Sequence, residues 1–510
     1  MRILIGVLSF LILSSSAFAQ QQKYWVVFKK KEIKEHENTA LVSEKTLENR
    51  KSQEIPLIQY SDFPVSASNL ESVKQEGAAP LVVSKWLNAA SAKLTPEQVN
   101  RLKQLPNVKK VIPIRGKMLP AKYTMPSPSY ATAISQMEAN VMAEEGLTGE
   151  GVVVGVIDAG FFGAKNNKYL KELFKDKRVL GVKDLVNPLK TDHYDSMETF
   201  SDSHGTTVLK MITGVKGKGE QSGFATNATF YLARTDHGDN ETRGEEDNWV
   251  QAMEWMDSLG VRLINTSLGY ALGFDDPNEN YKLEDMDGQT SIISKAAQIA
   301  SDEKGILLVV SAGNEGSDPA WRIVSTPADA KGVLSIGATD PSGLKMGYSS
   351  IGPEELPYLK PNVSCFSLSG TSFSAPVITG FAACLLQKKP EAKNTEIIKV
   401  IEKSAQLYPY GNNFIGYGIP KASMALSLLK NEIELTDLPQ KVSAEGKDVY
   451  TVKVKDKKIT KGIIFHKKDE RIVLLQNYVK GNKGKFEIKK AKDAQFSSVI
   501  IDGRVYEIAW

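Results

Sequence analysis

Cysteine is nearly missing from this chain: 510 residues carry only Cys365 and Cys384. A fold with so few thiols must be held by burial rather than by covalent staples. A bond between these two is disfavoured. Cys384 falls about three turns into a helix expected to begin near Ser372, and Cys365 lies on the far side of that start. Histidine is also scarce, with five in all (His36, His193, His204, His237 and His466), so any imidazole chemistry must draw on one of these. There is no excess of one charge, since 64 Lys plus Arg stand against 60 Asp plus Glu. That balance gives no reason to expect a nucleic-acid or membrane-surface partner. No apolar run reaches the roughly 18 residues that a membrane-spanning helix needs, so no stable membrane insertion is expected.

What is present is ordinary globular material, 41% hydrophobic and 24% charged, in a chain too long for a single core. Arg2, an apolar run over residues 3–13 and Ala17-Phe18-Ala19 read as a signal peptide over 1–19, which implies export of a soluble, secreted protein. No cysteine follows the cleavage site to carry a lipid. Residues 20–118 suggest a small α/β module. It has a strand at 23–29, a charged helix-like stretch at 43–52 and a strand within 80–92. A helix at 95–105, opened by Thr95 and Pro96, and a strand at 108–114 complete it. A loose stretch, 120–128, follows. Residues 119–430 carry apolar runs at 152–157, 229–233, 263–267, 306–311 and 333–338, with helical stretches such as 248–259 and 291–301 between them. This is the pattern of an open parallel α/β sheet with helices on both faces, whose ligands bind at the carboxyl ends of strands. Residues 431–510 show short alternating runs and predict a small antiparallel β domain. That tail holds 17 Lys plus Arg against 12 Asp plus Glu. Solvated strand faces are the preferred reading of this excess over a polyanion-binding surface.

Cleaving an amide by nucleophilic attack requires a hydroxyl, an imidazole to take its proton and a carboxylate to orient the imidazole. Asp158 ends the strand in VVVGVIDAG, His204 opens a helix in SDSHGTTVL, and Ser372 lies in SGTSFSAPV with Pro376 in the first turn of the helix that follows. A serine at a helix start has its own N–H and the positive end of the dipole beside its oxygen. Asn314 in VVSAGNEG can present a side-chain amide as a second oxyanion donor. Each segment alone is weak evidence, since an aspartate after a strand is usually a turn residue. Together, VIDAG, HGT, SAGNEG and GTSFSAP resemble the subtilases, the subtilisin-like serine peptidases, whose order along the chain is Asp, His, Asn, Ser.

The resemblance spans about residues 129–429. It implies a secreted serine endopeptidase acting on protein or peptide substrates through an acyl-enzyme. In that reading Asp158 orients His204, His204 is general base and acid, Ser372 attacks, and Asn314 donates to the oxyanion. Ser267, Leu268 and Gly269 match the segment that pairs with substrate backbone, and Ser311, Ala312 and Gly313 match the opposite wall of the primary specificity pocket. The first module resembles the inhibitory prodomains of these enzymes, so the chain's own prodomain is an expected intramolecular partner. Two departures stand out. Asp158 is followed by Ala159-Gly160-Phe161, and only residues 364–369 separate the KPNV segment from GTSFSAP, where subtilases usually carry a longer loop. No cofactor is required for the chemistry. Structural calcium is a candidate for the acidic stretch 275–287. Asp192, His193 and Asp195 read as a loop rather than a metal site, having no second histidine nearby.

Overall fold

The computed structural model describes the chain except for residues 1–20, 34–40, 115–128, 218–219, 238–244, 272–279 and 431–438. The signal peptide and the loose 120–128 stretch therefore lie outside the described residues.

The N-terminal module has strands β1 (Gln22–Phe28), β2 (Val83–Ser84), β3 (Ala89–Leu94) and β4 (Val108–Pro113), in sheet order β2-β3-β1-β4. Helices α1 (Glu44–Ser52), α2 (Ala67–Gln75) and α3 (Pro96–Gln104) accompany them. Thr95 caps α3 in a reciprocal capping box with Gln98, as its sequence announces. Strand β1 is apolar on both faces for a reason: Val26 and Phe28 enter the module's own core, while Trp25 joins the core of the next domain. The region 80–92 forms two strands rather than one, and α2 was not anticipated, because a short strand pair and a helix with one fully buried apolar residue, Val73, leave little periodicity to read.

Helices α4 (Ser129–Gln136) and α5 (Ala139–Glu144) lead into a seven-stranded, all-parallel sheet, and α6 (Lys171–Lys175) follows its first strand. The strands are β5 (Val153–Asp158), β6 (Val179–Asp184), β9 (Thr229–Arg234), β10 (Leu263–Thr266), β11 (Leu307–Ser311), β12 (Leu334–Thr339) and β13 (Val363–Phe366), in the order β13-β12-β11-β10-β5-β9-β6. A small ribbon, β7 (Val215–Lys216) with β8 (Glu220–Gln221), lies outside the sheet. The strands read as unbroken apolar runs because both faces are covered. Val154 and Val156 of β5 and Val309 of β11 enter one core with α7 (His204–Thr213), α10 (Ala375–Lys388), α11 (Asn394–Lys403) and α12 (Ala422–Leu429). Ile157 and Val310 enter the other, with α8 (Glu245–Ser258) and α9 (Ile292–Asp302). The edge strands β6 and β13 escaped the sequence reading because they are short or interrupted by Gly181 and Lys183. Both cysteines are free and buried in the first core.

Strands β14 (Gln440–Ser443), β15 (Val449–Lys453), β16 (Lys461–Lys467), β17 (Val473–Asn482), β18 (Lys485–Lys489), β19 (Phe496–Ile501) and β20 (Arg504–Ala509) form the C-terminal sheet, order β14-β20-β19-β16-β17-β18-β15. It is curled around its own core of Val452, Ile464, Phe486, Val499 and Ile508. The expectation of a wholly antiparallel domain needs correction. β14 pairs parallel with β20, as a strand not joined to its neighbour by a hairpin is free to do. The sheet is docked on the central domain by Ile463, Phe465 and Ile500 against Leu407, Phe414 and Ile415, and by the paired hydrogen bonds between Gln476 and Lys345.

Candidate active site

β5 lies inside the sheet, with β9 on one side and β10 on the other, so a crevice opens at its carboxyl end. Asp158, the last residue of β5, is fully buried. Its Oδ1 accepts the Ala159 N–H at 2.8 Å and faces Nδ1 of His204 at 2.7 Å. His204 is the first residue of α7, as expected, and only 6% exposed. Gly205 permits this approach: a Cβ there would stand 2.5 Å from the Gly160 carbonyl and 2.8 Å from the Phe161 ring. Burial works against a charge on His204, but the neighbouring Asp158 carboxylate outweighs it and holds the imidazolium pKa above the usual value.

Ser372 sits differently from expectation. It lies in a 3₁₀ turn, Thr371–Phe373, and the α-helix begins only at Ala375, with Pro376 in its first turn as anticipated. The Ser372 hydroxyl donates to the Ser267 carbonyl at 3.2 Å, and the Ser267 hydroxyl returns a bond to the Ser372 carbonyl at 2.9 Å. The Phe373 ring packs against the His204 imidazole with centroids 5.3 Å apart, which brings the serine turn against the histidine.

Asn314 follows β11, and its Oδ1 accepts from the Thr371 N–H at 2.8 Å and the Thr371 hydroxyl at 3.1 Å. With the oxygen committed, the amide N–H groups are the end left for a ligand. The wall segments lie on neighbouring strand extensions. Gly269 closes on Ser325, whose Oγ would be 2.2 Å from an added Cβ, and Tyr270 bonds Thr326 in both directions. Ala312 accepts from Ser325 N–H, and Gly313 takes φ +112° where a Cβ would strike Glu315 and Ser350. Leu268 and Ser311 are buried beside these segments. The structure thus gathers the candidate residues at the carboxyl ends of β5, β10 and β11.

Sequence reasoning missed two residues here. Thr371 orients Asn314, though it stands within the GTSFSAP motif. Arg234, one residue beyond the apolar run of β9, donates to the Ala159 carbonyl at 3.0 Å and to Asp184, Glu198 and Asp202. It ties the backbone behind Asp158 to the turn that leads into His204. A buried arginine at a strand's carboxyl end was the available clue.

The carboxylates of the two acidic stretches accept hydrogen bonds within their own loops. Asp192 accepts the Tyr194 and Asp195 N–H groups in its own loop. Asp275 and Asp276 lie outside the described residues, and farther along the stretch Asp285 and Asp287 are committed to capping Lys282, Gln289 and Thr290. Among the described residues no group of three or more His, Cys, Asp or Glu is placed to hold a metal ion, and no helix is long and apolar enough to cross a membrane.

Comparison with known proteins finds two domain families along the chain. Residues 149–418 match the Subtilase family and residues 23–127 match the peptidase S8 propeptide domain of Bacteroidota. Subtilisin NAT of Bacillus subtilis subsp. natto and subtilisin E of Bacillus subtilis are each 28% identical over 358 residues, covering 68% of this chain and 83% of theirs. In fold the chain resembles the epidermin leader peptide processing serine protease of Staphylococcus aureus, with TM-score 0.54 and 17% identity over 80% of this chain and 100% of that one. It also resembles fervidolysin of Fervidobacterium pennivorans, with TM-score 0.52 and 19% identity over 96% of this chain and 74% of that one. With a buried Asp–His pair at the carboxyl end of an inner strand, a serine turn packed against it and a propeptide domain ahead of it, this chain belongs to the subtilase family of serine peptidases.

Proposed function

We propose that the chain is an exported preproenzyme whose mature part cleaves peptide bonds through an acyl-enzyme on Ser372. The observation that carries the assignment is the 2.7 Å contact between His204 Nδ1 and buried Asp158. With the Nδ1 proton held toward Asp158, Nε2 has a lone pair free to accept the Ser372 hydroxyl proton as Oγ attacks the scissile carbonyl. Negative charge developing on the carbonyl oxygen is met by the Asn314 amide and the Ser372 backbone N–H. His204 then passes its proton to the departing amine, and water repeats the sequence to free the acid. The shortness of residues 364–369 shapes the leaving-group side of the cleft.

The N-terminal module acts in this reading as intramolecular inhibitor and folding template. Its β4 is followed at once by buried Ile114, which shares one apolar cluster with Leu268 and Tyr270 of the substrate-pairing segment. In this reading self-cleavage falls between residues 114 and 130. The Ser372→Ala chain and the wild type, expressed side by side, test both ideas. The variant should retain its fold, lose on the order of 10⁶ in kcat and remain uncut. Retention of a tenth of the activity would overturn the nucleophile, and trimming of the variant at the same bond by no other protease would overturn self-processing.

A further inference from the structure

The excess of positive charge in the last 80 residues is not spread evenly over strand faces. Register gathers it at one end of the curled sheet. Lys461 of β16 stands directly opposite Lys480 of β17, and Lys453 of β15 directly opposite Lys485 of β18. These four strands are consecutive in the sheet, and the β17–β18 register, with Asn482 opposite Lys485, sets the Lys453–Lys485 pair two residues, about 7 Å, along the strands from the Lys461–Lys480 pair. The turn between β15 and β16 adds Lys455, Lys457 and Lys458. Lys483 in the β17–β18 hairpin closes on that turn through the Val454 N–H to Gly484 carbonyl bond at 2.8 Å. All these lysines are exposed.

Like charges directly opposite in a sheet are destabilising, and here two such pairs are adjacent. One carboxylate, Glu487, stands level with Lys480 one step beyond the Gly481–Phe486 pair, so a single acid faces the four paired lysines. The domain's ion pairs fall elsewhere, on Lys441, Lys447, Lys467 and Lys468, and the nearby acids are Asp456, whose carboxylate caps the Lys458 N–H, and Glu487 of β18. We propose that this lysine-rich tip is a docking surface for an acidic polysaccharide.

Three features favour that partner over other polyanions. The tip contains lysines but no arginine, the residue whose planar fork suits phosphate. Tyr478, the exposed aromatic ring beside it, is covered by the Lys461 ammonium at 3.4 Å, leaving no open platform on which a nucleic-acid base could stack. The turns at the tip present no large apolar side chain for insertion among lipids, since the domain's exposed Val449, Leu474 and Leu475 lie away from its turns. Point charges on a rounded surface fit carboxylates spaced along a flexible polymer.

The test uses the full chain carrying Ser372→Ala, so that the domain stays attached, and measures binding to alginate, to duplex DNA and to phosphatidylglycerol vesicles at equal anionic charge. Alginate should bind with an affinity that falls steeply with salt. The combined change Lys453→Gln, Lys457→Gln, Lys480→Gln and Lys485→Gln should weaken alginate binding at least tenfold at unchanged circular dichroism. Arginine at the same four positions should preserve it. Absence of alginate binding, indifference to the glutamine changes, or tighter binding to DNA or vesicles than to alginate would each overturn the proposal.

Discussion

Oδ1 of Asp158 receives both the Ala159 N–H and the His204 ring, so the carboxylate is aimed before any substrate arrives. The consequence for pH is direct. In the proposed mechanism His204 must be neutral to take a proton, and its pKa lies above the ordinary value, with burial opposing and the Asp158 charge prevailing. The kcat/KM of the mature enzyme should therefore rise with pH through an apparent pKa above about 6.5. Asp158→Asn should remove that anchor and cost several orders of magnitude in kcat, measured on a peptide substrate across pH 5 to 10. Asn314→Ala should cost less, roughly 10² to 10³ in kcat, because the backbone donor at Ser372 remains. An unchanged kcat there would mean that another group meets the oxyanion.

Elements are positioned by buried polar hubs as much as by the sheet. Arg234, 4% exposed, is held by three carboxylates and by the Ala159 carbonyl, and so links β9, the end of β5 and the turn before α7. Arg234→Lys keeps the charge and loses the fork. It should leave KM nearly unchanged while lowering kcat by about tenfold or more, since small displacements of a general base are costly. A proportional rise in KM would assign it to substrate binding instead. In the C-terminal sheet, His466 of β16 is 6% exposed and bonded to Ser497, and burial pushes its pKa down to about 4. Unfolding raises its proton affinity, so its contribution is complete above about pH 6.5 and is lost as pH falls toward 4, at up to about 1.4 kcal/mol per pH unit. Thermal unfolding of the Ser372→Ala chain at pH 7 and pH 5 should show this loss, and His466→Gln should reduce the difference.

At the scale of the whole molecule, the propeptide domain is bound by buried charges in addition to apolar packing. Arg50 and Asp62, both closed to solvent, pair at 2.6 Å, and Lys304 of the peptidase domain meets the same Asp62 at 2.8 Å. Burial would raise the Asp62 pKa, but Arg50 and Lys304 hold it down at about 2. On the peptidase side, Asp247 takes Lys23 and Ser91, and Glu254 takes Ser84 and the Trp86 N–H. Removing one member of such a network strands the others. Asp62→Ala should weaken inhibition by the released propeptide domain between about 10² and 10³-fold, and wild-type inhibition by the variant would show that the apolar face suffices.

Much of this protein was readable from residue order alone. The apolar runs of the central sheet, the Thr95-Pro96 start of α3 and the four motif segments are local patterns, and local patterns survive in a sequence. So did the free state of the cysteines, since helix geometry already separated them. Tertiary structure decided what depends on non-local pairing. It set Ser372 in a 3₁₀ turn bonded to Ser267, assigned Thr371 to orient Asn314, and placed Arg234 behind Asp158. It also paired β14 parallel to β20 and turned a modest surplus of lysine into a concentrated tip. The physical reason is common to all of these. A strand's register and a buried polar atom's partner are chosen across large sequence separations by packing and hydrogen-bond satisfaction, and no single segment contains that information.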